Sequence, residues 1–258
     1  MKDNGRIIGV VGGVGPYAGL DLCRKIFNQT KASKDQDHLS VALLSYPCRI
    51  VGRPDYLQGS THTNPAFAVC EIVSQLVQLG AGVVGIPCNT MHSPRIFDVL
   101  LDEAKKAELE VRILNMVEEV RDFIQKTLTR KALKGHYKIG LLGTEALVVS
   151  GVYQEALQGQ GLEIVVPDSH HQKKIESALF HPVYGIKAQS NPVSDRARGL
   201  ITEGIDHLIA EQCQAVVLGC SEISMAATKP EVEGALMIDP TSILARALIR
   251  EVDAKKLR

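Results

Sequence analysis

Two cysteines lie in matching surroundings, and their thiols are suited to acid–base or nucleophilic chemistry. Cys88 lies in Gly-Val-Val-Gly-Ile-Pro-Cys-Asn-Thr at residues 82–90, and Cys220 lies in Gln-Ala-Val-Val-Leu-Gly-Cys-Ser-Glu at residues 214–222. Each thiol follows a short apolar run and precedes polar residues and a helix-like segment. Such runs are typical of parallel strands buried on both faces. The pattern predicts a cysteine at the carboxyl end of each of two buried strands.

That position favours reactive thiols for two reasons. Open α/β sheets bind ligands at the carboxyl ends of their strands. A helix N-terminus beside a cysteine also favours the thiolate over the thiol, because the helix dipole is positive there. A single such cysteine is often only a small buried apolar residue, whereas two in matched settings indicate a paired site.

The cysteine spacing gives no sign of cross-links or of a metal. The six cysteines occupy positions 23, 48, 70, 88, 213 and 220. Their scatter, without a Cys-x-x-Cys pair, predicts free thiols in a reducing compartment. Cys88 and His92 have the i, i+4 spacing of two metal ligands, but no second ligand pair accompanies them. We therefore expect no metal site.

The elements that must position the thiols alternate along the chain. Strand-like and helix-like segments follow one another without strand hairpins, which indicates an α/β fold with parallel sheets. The order glycine-turn strand, second strand, cysteine strand occurs twice, so we predict two pseudosymmetric lobes from an internal duplication. Each lobe is expected to be a parallel sheet flanked by helices, with the active site in the cleft between them. Lobe 1 would comprise residues 1–110 plus 235–258, and lobe 2 residues 111–234.

One connection is too long for a plain link between elements. Residues 46–63 are rich in Gly, Pro, Arg and Tyr, and a structureless connection of this length is usually functional. Arg53 lies within it, and we expect the loop to overhang the cleft. Lys187 lies in the corresponding loop of the second lobe, at residues 181–192.

Composition and charge exclude several classes of function. Lysine plus arginine and aspartate plus glutamate each number 29 in 258 residues, so no net charge recruits nucleic acid or an anionic membrane. The first six residues are largely polar, and no apolar run has the length of a membrane span. We expect a cytoplasmic protein that acts on a small-molecule substrate. We also expect it to form a homodimer.

Five motifs resemble the aspartate/glutamate racemase family, and together they run through nearly the whole chain. They are Ile-Gly-Val-Val-Gly-Gly-Val-Gly-Pro at 8–16, Pro-Cys-Asn-Thr at 87–90 with His92, Tyr-Gly-Ile-Lys at 184–187, Leu-Gly-Cys-Ser-Glu at 218–222 and Ile-Asp-Pro-Thr at 238–241. The Gly-Gly-x-Gly-Pro turn is similar to that of the aspartate racemase branch, whereas glutamate racemases have an Asp-Ser-Gly turn there.

The resemblance implies racemisation of an amino acid without a cofactor, with Cys88 and Cys220 as the two bases. It also implies that Arg53 and Lys187 match the arginine and the lysine of the family's aspartate racemases. Three parts of the chain depart from the family pattern and bear on the substrate. They are Gly52 in place of the usual aspartate, residues 144–147 in place of a Thr-x-Gly-Thr turn, and Ser221 in place of threonine.

Two acid–base groups suit this reaction because inverting an α-carbon removes a proton from one face and returns one to the other. A thiol has an ordinary pKa of about 8.5, which neighbours can lower. Without a cofactor to accept electrons, the carbanion-like transition state depends on preorganised donors and cations. Arg53 could clamp a carboxylate bidentately and Lys187 could add a point charge. His92 and Glu222, which follow the cysteines closely, could tune their protonation.

Further residues beside the thiols complete the predicted substrate-binding set. Asn89, Thr90 and Ser221 adjoin the cysteines at helix N-termini and could donate to the α-carboxylate. Gly13 and Thr144 follow the first strand of each half and are expected to contact the substrate. Two opposed cations favour a dicarboxylic substrate, and the family branch places aspartate ahead of glutamate.

Several other interpretations are compatible with the sequence. Residues 13–18 satisfy the Gly-x-Gly-x-x-Gly/Ala dinucleotide fingerprint, but the second strand ends without the acidic residue that binds ribose. Lys187 lacks the phosphate-binding turn that a pyridoxal-phosphate enzyme needs. A catalytically idle two-lobed sensor is a further alternative. Within the family, a broad-specificity or glutamate racemase, a maleate isomerase and a hydantoin racemase also carry two cysteines.

Overall fold

Strands and helices alternate along most of the chain in the computed structural model, which describes residues 7–128, 137–159 and 161–258. The strands are β1 (Ile7–Gly12), β2 (Val41–Ser45), β3 (Ala81–Gly85), β4 (Arg112–Ile113), β5 (Tyr137–Leu142), β6 (Leu162–Val165), β7 (Ala215–Leu218), β8 (Glu231–Val232) and β9 (Ala235–Ile238). The helices are α1 (Pro16–Gln29), α2 (Arg53–Leu57), α3 (Ala66–Gln78), α4 (Pro94–Lys106), α5 (Met116–Leu128), α6 (Glu145–Ser150), α7 (Val152–Ala156), α8 (Ser169–Phe180), α9 (Asp195–Ala210), α10 (Ile223–Ala226) and α11 (Pro240–Asp253).

The chain divides into two compact units, and their boundaries correct the predicted lobes. The first unit is Met1–Glu119 with Thr241–Arg258, and the second is Val120–Pro240. Residues 111–119 were expected in lobe 2, but β4 pairs with β3 of the first sheet. Residues 235–240 were expected in lobe 1, but β9 pairs with β7 of the second sheet. The first six residues and residues 129–136, which the predicted lobes include, lie outside the described ranges.

The sheet of the first unit is fully parallel, in the order β2-β1-β3-β4. Its central strand β1 is buried on both faces, as the apolar run predicts. Ile8 and Val10 pack among side chains of α1 and α11, whereas Val11 packs on the opposite face among those of α3 and α4. This two-sided burial holds the turn that follows β1 and the cysteine segment that follows β3.

The sheet of the second unit has the order β6-β5-β7-β9-β8. Its first four strands are parallel, and α8 and α9 cover one face through buried side chains such as Ile175, Ile201 and Leu208. In both units the strand before the cysteine lies beside the first strand of the repeat. The predicted repetition of two parallel sheets flanked by helices is therefore confirmed.

The expectation of no strand hairpin is wrong at one edge of the second sheet. Strands β8 and β9 pair antiparallel, with Val232 opposite Ala235. The two residues between them, Glu233 and Gly234, have φ values of 47° and 84°. A two-residue turn with positive φ at both positions is the connection that fits the twist of a hairpin.

Two short helices lie where the sequence did not predict any: α2 within the predicted loop at residues 46–63, and α6 after β5. Within residues 46–63, α2 begins at Arg53, and Pro54 occupies an early helical position where its missing N–H is no loss. After β5, the Thr144 hydroxyl accepts a hydrogen bond from the Leu147 N–H and begins α6. None of the helices in the described ranges has the length and apolar character needed to cross a membrane.

Candidate active site

Cys88 follows β3 in a buried bend, with 8% of its surface exposed. Its backbone N–H donates to Ile86 O at 2.8 Å, and its carbonyl accepts from Met91 N at 3.1 Å, which closes a 3-10 turn over Asn89–His92. Its Sγ lies 3.3 Å from Thr90 Oγ1. A hydroxyl partner is uncharged and can donate a hydrogen bond to a thiolate, so the first motif provides a neutral neighbour for the sulfur.

His92 lies in the same segment and is buried as a neutral ring. Its Nε2 lies 3.1 Å from Ile86 O, and because a carbonyl can only accept, Nε2 carries the proton. The ring packs against Phe97 with centroids 4.9 Å apart. Burial lowers the pKa of His92 to about 4, although the bond to Ile86 acts in the opposite direction. Among the described residues, His92 thus fastens the segment that holds Cys88 and makes no hydrogen bond to the thiol.

Arg53 opens α2 and reaches back to the turn after β1. Its Nη2 donates to Val14 O at 2.9 Å. Its buried Nε has no hydrogen-bond partner within the described chain. Since a guanidinium has five N–H donors in a planar fork, the side chain retains donors for a carboxylate. The predicted carboxylate ligand Arg53 is therefore half-buried with donor capacity left over.

Gly13 permits the close approach of backbone beside that turn. Its φ is +85°, and a Cβ there would lie 2.8 Å from Pro47 N. A side chain is excluded on both grounds. Gly13 thus brings the start of the segment that carries Arg53 against the end of β1.

Three residues that the sequence did not single out fasten α2 to the start of α4. Asn64 Nδ2 donates to Tyr56 Oη at 3.0 Å and to Arg95 O at 2.9 Å. Arg95 in turn donates to Leu57 O at 3.1 Å, and its guanidinium lies over the Tyr56 ring. These bonds hold the Arg53 helix against the cysteine-bearing segment, and no short sequence motif signals them.

Cys220 follows β7, and its half-buried thiol is the end of a hydrogen-bonded chain of three side chains. Cys220 Sγ donates to Glu222 Oε2 at 2.9 Å, and Lys187 Nζ donates to Glu222 Oε1 at 2.7 Å. Glu222 is buried, whereas 30% of the Lys187 side chain is exposed. The predicted residues Cys220, Glu222 and Lys187 are thus brought together.

The three hydrogen-bonded side chains, called here the Cys220 array, set one another's protonation states. Burial and then the Glu222 carboxylate raise the pKa of Cys220 well above its ordinary value, and Lys187 offsets only part of this. Burial would raise the pKa of Glu222, but Lys187 and the hydrogen bonds outweigh it and hold that pKa below its ordinary value. At neutral pH the array is a thiol, a carboxylate and an ammonium group.

The segment that carries Lys187 is clipped to the end of α8. Ile186 N donates to Ala178 O at 2.8 Å, and Lys187 N donates to Leu179 O at 3.1 Å. The Lys187 ammonium group also lies 5.4 Å from the centroid of the Phe180 ring. These backbone bonds fix the position of the Lys187 main chain, and the Lys187 side chain reaches Glu222 from that position.

The other predicted residues of the second unit lie at the ends of the same strands. Ser221 is buried beside Cys220, and its carbonyl accepts from Ser224 Oγ at 2.9 Å. Thr144 is buried as the cap of α6 after β5, and Gly219 N donates to Leu142 O at 2.7 Å across the ends of β7 and β5. Ser221 and Thr144 therefore follow two neighbouring strands, β7 and β5, of the same sheet.

Sequence comparison decides the family to which these two thiol motifs belong. Residues 11–248 match the model of the Asp/Glu/Hydantoin racemase family. The chain belongs to this family. It is accordingly an isomerase of the racemase type, and its matched region contains both cysteine motifs.

Individual relatives of this racemase differ in the substrate that their names record. The chain is 24% identical to the broad-specificity amino-acid racemase RacX of Bacillus subtilis, over 94% of this chain and 96% of that protein. It is 24% identical to a glutamate racemase of Thermus thermophilus, over 100% of this chain and 84% of that protein. The solved structure of an aspartate racemase from Picrophilus torridus superposes with a TM-score of 0.79 at 26% identity, covering 98% of this chain and 96% of that one.

Proposed function

We propose that this racemase inverts the α-carbon of a free amino acid without a cofactor, with Cys88 and Cys220 acting on opposite faces of that carbon. The observation that carries the proposal is the Cys220–Glu222–Lys187 array at the end of β7, together with the Cys88–Thr90 pair at the end of β3. Each unit contributes one thiol with a polar partner. A single site to which both units contribute is part of this proposal.

In one direction the proton moves from the α-carbon to Cys88, while Cys220 delivers its proton to the other face. Cys220 holds a proton at neutral pH and is therefore ready to act as the acid. Cys88 enters this step as a thiolate, which the Thr90 hydroxyl can stabilise by donating a hydrogen bond. After the step Cys88 is a thiol and Cys220 a thiolate, and the opposite enantiomer is processed by the reverse transfers. Exchange with solvent restores the starting form.

Glu222 and Lys187 control how long Cys220 remains a thiolate. Once Cys220 has given up its proton, the Glu222 carboxylate repels the new charge, which favours reprotonation. Lys187 compensates part of that repulsion, so the free energy of the Cys220 thiolate stays low enough for turnover. Glu222 and Lys187 are positioning residues in this scheme, because they act through Cys220 and not on the substrate.

The transition state carries negative charge on the α-carboxylate, and the proposal assigns donors to it. Asn89, Thr90 and Ser221 lie beside the thiols at the ends of β3 and β7, where backbone N–H groups and side chains can donate. Their donors would be preorganised, since all three residues are buried. In this scheme the hydrogen-bonded α-carboxylate takes up the negative charge, so no cofactor is needed to accept electrons.

Aspartate is the proposed substrate, and Arg53 supports it. A half-buried guanidinium with an unpartnered Nε is suited to a bidentate bond with a side-chain carboxylate. The aspartate racemase from Picrophilus torridus is a structural neighbour of the chain. Lys187 contributes less than the sequence predicted, because its charge is already paired with Glu222.

That ion pair favours broad specificity as the second candidate. With one cation fewer for a side-chain carboxylate, the site discriminates less strongly against neutral amino acids. The chain's similarity to a broad-specificity racemase from Bacillus subtilis agrees with this alternative. The two candidates differ in the ratio of turnover on aspartate to turnover on alanine or serine.

A chiral chromatographic screen tests the proposal. The purified protein is incubated with each proteinogenic amino acid, without added cofactor, and the two enantiomers are quantified over time. Racemisation of aspartate above all others supports the first candidate, and comparable rates on several amino acids support the second. Absence of racemisation of every amino acid would overturn both.

The proposal also includes a homodimeric state and a cytoplasmic location, with no nucleic acid or membrane partner. The homodimeric state has its own test. Sedimentation velocity across a range of protein concentrations distinguishes a dimer from a monomer. A single monomeric species throughout that range would remove the homodimer from the proposal.

A further inference from the structure

Three side chains of metal-ligating type meet on the second unit, outside the Cys220 array. Asp168 follows β6, His171 lies in the first turn of α8, and His207 lies near the end of α9. One ligand atom from each lies within 4.8 Å of the others. We propose that Asp168, His171 and His207 form a binding site for a divalent transition-metal cation of the zinc class.

The existing contacts show that these side chains already share one small space. Asp168 Oδ1 lies 2.9 Å from His171 Nδ1 and also accepts the His171 backbone N–H at 2.8 Å. The rings of His171 and His207 are stacked, with centroids 4.0 Å apart and planes 10° from parallel. The Asp168 backbone N–H donates to His207 Nε2 at 3.4 Å. As an acceptor, that nitrogen carries a lone pair and can bind a cation.

The donor set selects the class of metal. Imidazole nitrogens suit Zn²⁺, Co²⁺, Ni²⁺ and Cu²⁺, whereas Mg²⁺ and Ca²⁺ prefer sites made of oxygen ligands. Two imidazoles and one carboxylate, with water in the fourth position, make an open tetrahedral zinc site. The sequence predicted no metal site because His207 lies far along the chain from Asp168 and His171, and only the packing of α8 on α9 unites them.

Binding requires the side chains to rotate, because the two stacked rings cannot both direct a lone pair at one cation in their present orientation. Zinc bonds of about 2.0–2.2 Å in a tetrahedron separate the ligand atoms by about 3.3–3.6 Å. Any pair of the three atoms must therefore close by at most about 1.5 Å from a present separation of up to 4.8 Å. Rotation of the side chains can bring the ligand atoms this much closer. The two histidine rings would then coordinate the cation and no longer stack on each other.

A bound cation would fasten α8 to α9 and to the end of β6. The far end of α8 carries the backbone bonds to Ile186 and Lys187, so the same helix supports both the proposed metal site and the lysine of the Cys220 array. The consequence is a stabilising site, since a ligand that binds only the folded state raises its stability. The inference does not depend on the proposed racemase activity.

Zinc titration followed by calorimetry and by thermal unfolding tests the site in the full-length protein. Three variants remove one ligand each: His171→Gln, His207→Gln and Asp168→Asn, of which the last retains a good helix cap. His170→Gln is the matched control, because His170 adjoins His171 but is not one of the three ligands. We expect one zinc per chain and a rise in Tm of roughly 5 °C at saturation for the native protein and the control. Each ligand variant should bind at least about tenfold more weakly.

Cobalt distinguishes this site from zinc capture by thiols such as the exposed Cys48. Thiolate ligands give cobalt an intense charge-transfer band in the near ultraviolet, whereas nitrogen and oxygen ligands give only weak visible bands. Weak visible bands alone support the site. A dominant charge-transfer band, equal affinity in folded His171→Gln and His207→Gln proteins, or no binding up to about 1 mM zinc would overturn it. Circular dichroism identifies variants that have not folded, and the remaining ligand variants then decide.

Discussion

The carboxylate of Glu222 touches Cys220 Sγ at 2.9 Å with one oxygen and Lys187 Nζ at 2.7 Å with the other. A negative charge beside sulfur disfavours the thiolate, and burial acts in the same direction. Cys88 instead lies 3.3 Å from an uncharged hydroxyl, that of Thr90. The two cysteines thus follow corresponding strands, β3 and β7, and have chemically different neighbours.

Replacing either reactive cysteine should stop racemisation and leave the fold intact. Cys88→Ala and Cys220→Ala each remove one of two proposed acid–base groups, and such groups contribute about 10²- to 10⁴-fold to rates. Each variant should still exchange the α-proton of one enantiomer with deuterium, which NMR in D₂O detects. Cys48→Ser is the matched control, because that thiol is exposed. Full racemisation by either alanine variant would contradict the two-base scheme.

Removing the charge of Glu222 should lower the pKa of Cys220, because the carboxylate is one of the causes that raise it. Glu222→Gln keeps an acceptor near the sulfur but removes the repulsion of the thiolate. Lys187→Gln should act oppositely and raise the pKa of Cys220 further. The measurement is the rate of Cys220 alkylation by iodoacetamide against pH, in a background with Cys48→Ser and Cys88→Ala. Shifts of the same sign in the two variants would show that the array does not control this thiol.

Acidification should destabilise the first unit through His92. Its pKa is lowered from 6.5 to about 4 in the folded protein, so the unfolded chain binds a proton between these values and the folded chain does not. Stability is therefore retained above pH 6.5 and lost as pH falls towards 4. Between pH 7 and 5 the loss is about 2 kcal/mol.

Urea unfolding of the native protein and of His92→Gln at pH 7 and pH 5 measures the contribution of His92 to the free energy of unfolding. Glutamine can keep the donor to Ile86 O but does not titrate, so the variant should lose about 2 kcal/mol less on acidification. The comparison cancels the other titrating groups that the two proteins share. An equal loss of stability in both would mean that His92 is protonated inside the fold.

Arg53→Ala should reduce turnover of aspartate by about ten- to a hundredfold, the cost of losing a charged hydrogen-bond partner. Turnover of alanine or serine should fall far less, because their side chains carry no carboxylate. Arg49→Ala removes the same charge from an exposed position of the same segment and serves as the control. Equal losses on charged and neutral substrates would assign Arg53 to the α-carboxylate or to the bond with Val14 O, and the dicarboxylate proposal would be withdrawn.

The apolar runs predicted the placement of both thiols because a parallel strand buried on both faces has a simple signature. Short elements were missed for identifiable reasons. Strand β8 has two residues, too few to show a period, and Pro54 was interpreted as a loop residue although it suits the first turn of a helix. The boundary error at residues 235–240 arose because strand pairing, and not strand order, decides which sheet receives β9.

The pairing of Lys187 with Glu222 could not be predicted from spacing. It depends on the segment after α8 folding back onto that helix through bonds to Ala178 O and Leu179 O. Sequence reasoning identified both residues but assigned them separate roles. Asn64 and Arg95 were not identified at all, since polar residues in irregular segments show no pattern until their partners are known.

The unequal neighbours of the two thiols have a kinetic consequence if the protein racemises as proposed. Two enantiomers have the same free energy in water, so the equilibrium constant is one and kcat/KM must be identical in the two directions. The difference between a thiol beside Thr90 and a thiol beside Glu222 therefore cannot favour one product. It can appear only as a matched rise or fall of kcat and KM, with one enantiomer bound more tightly and turned over more slowly than its mirror image.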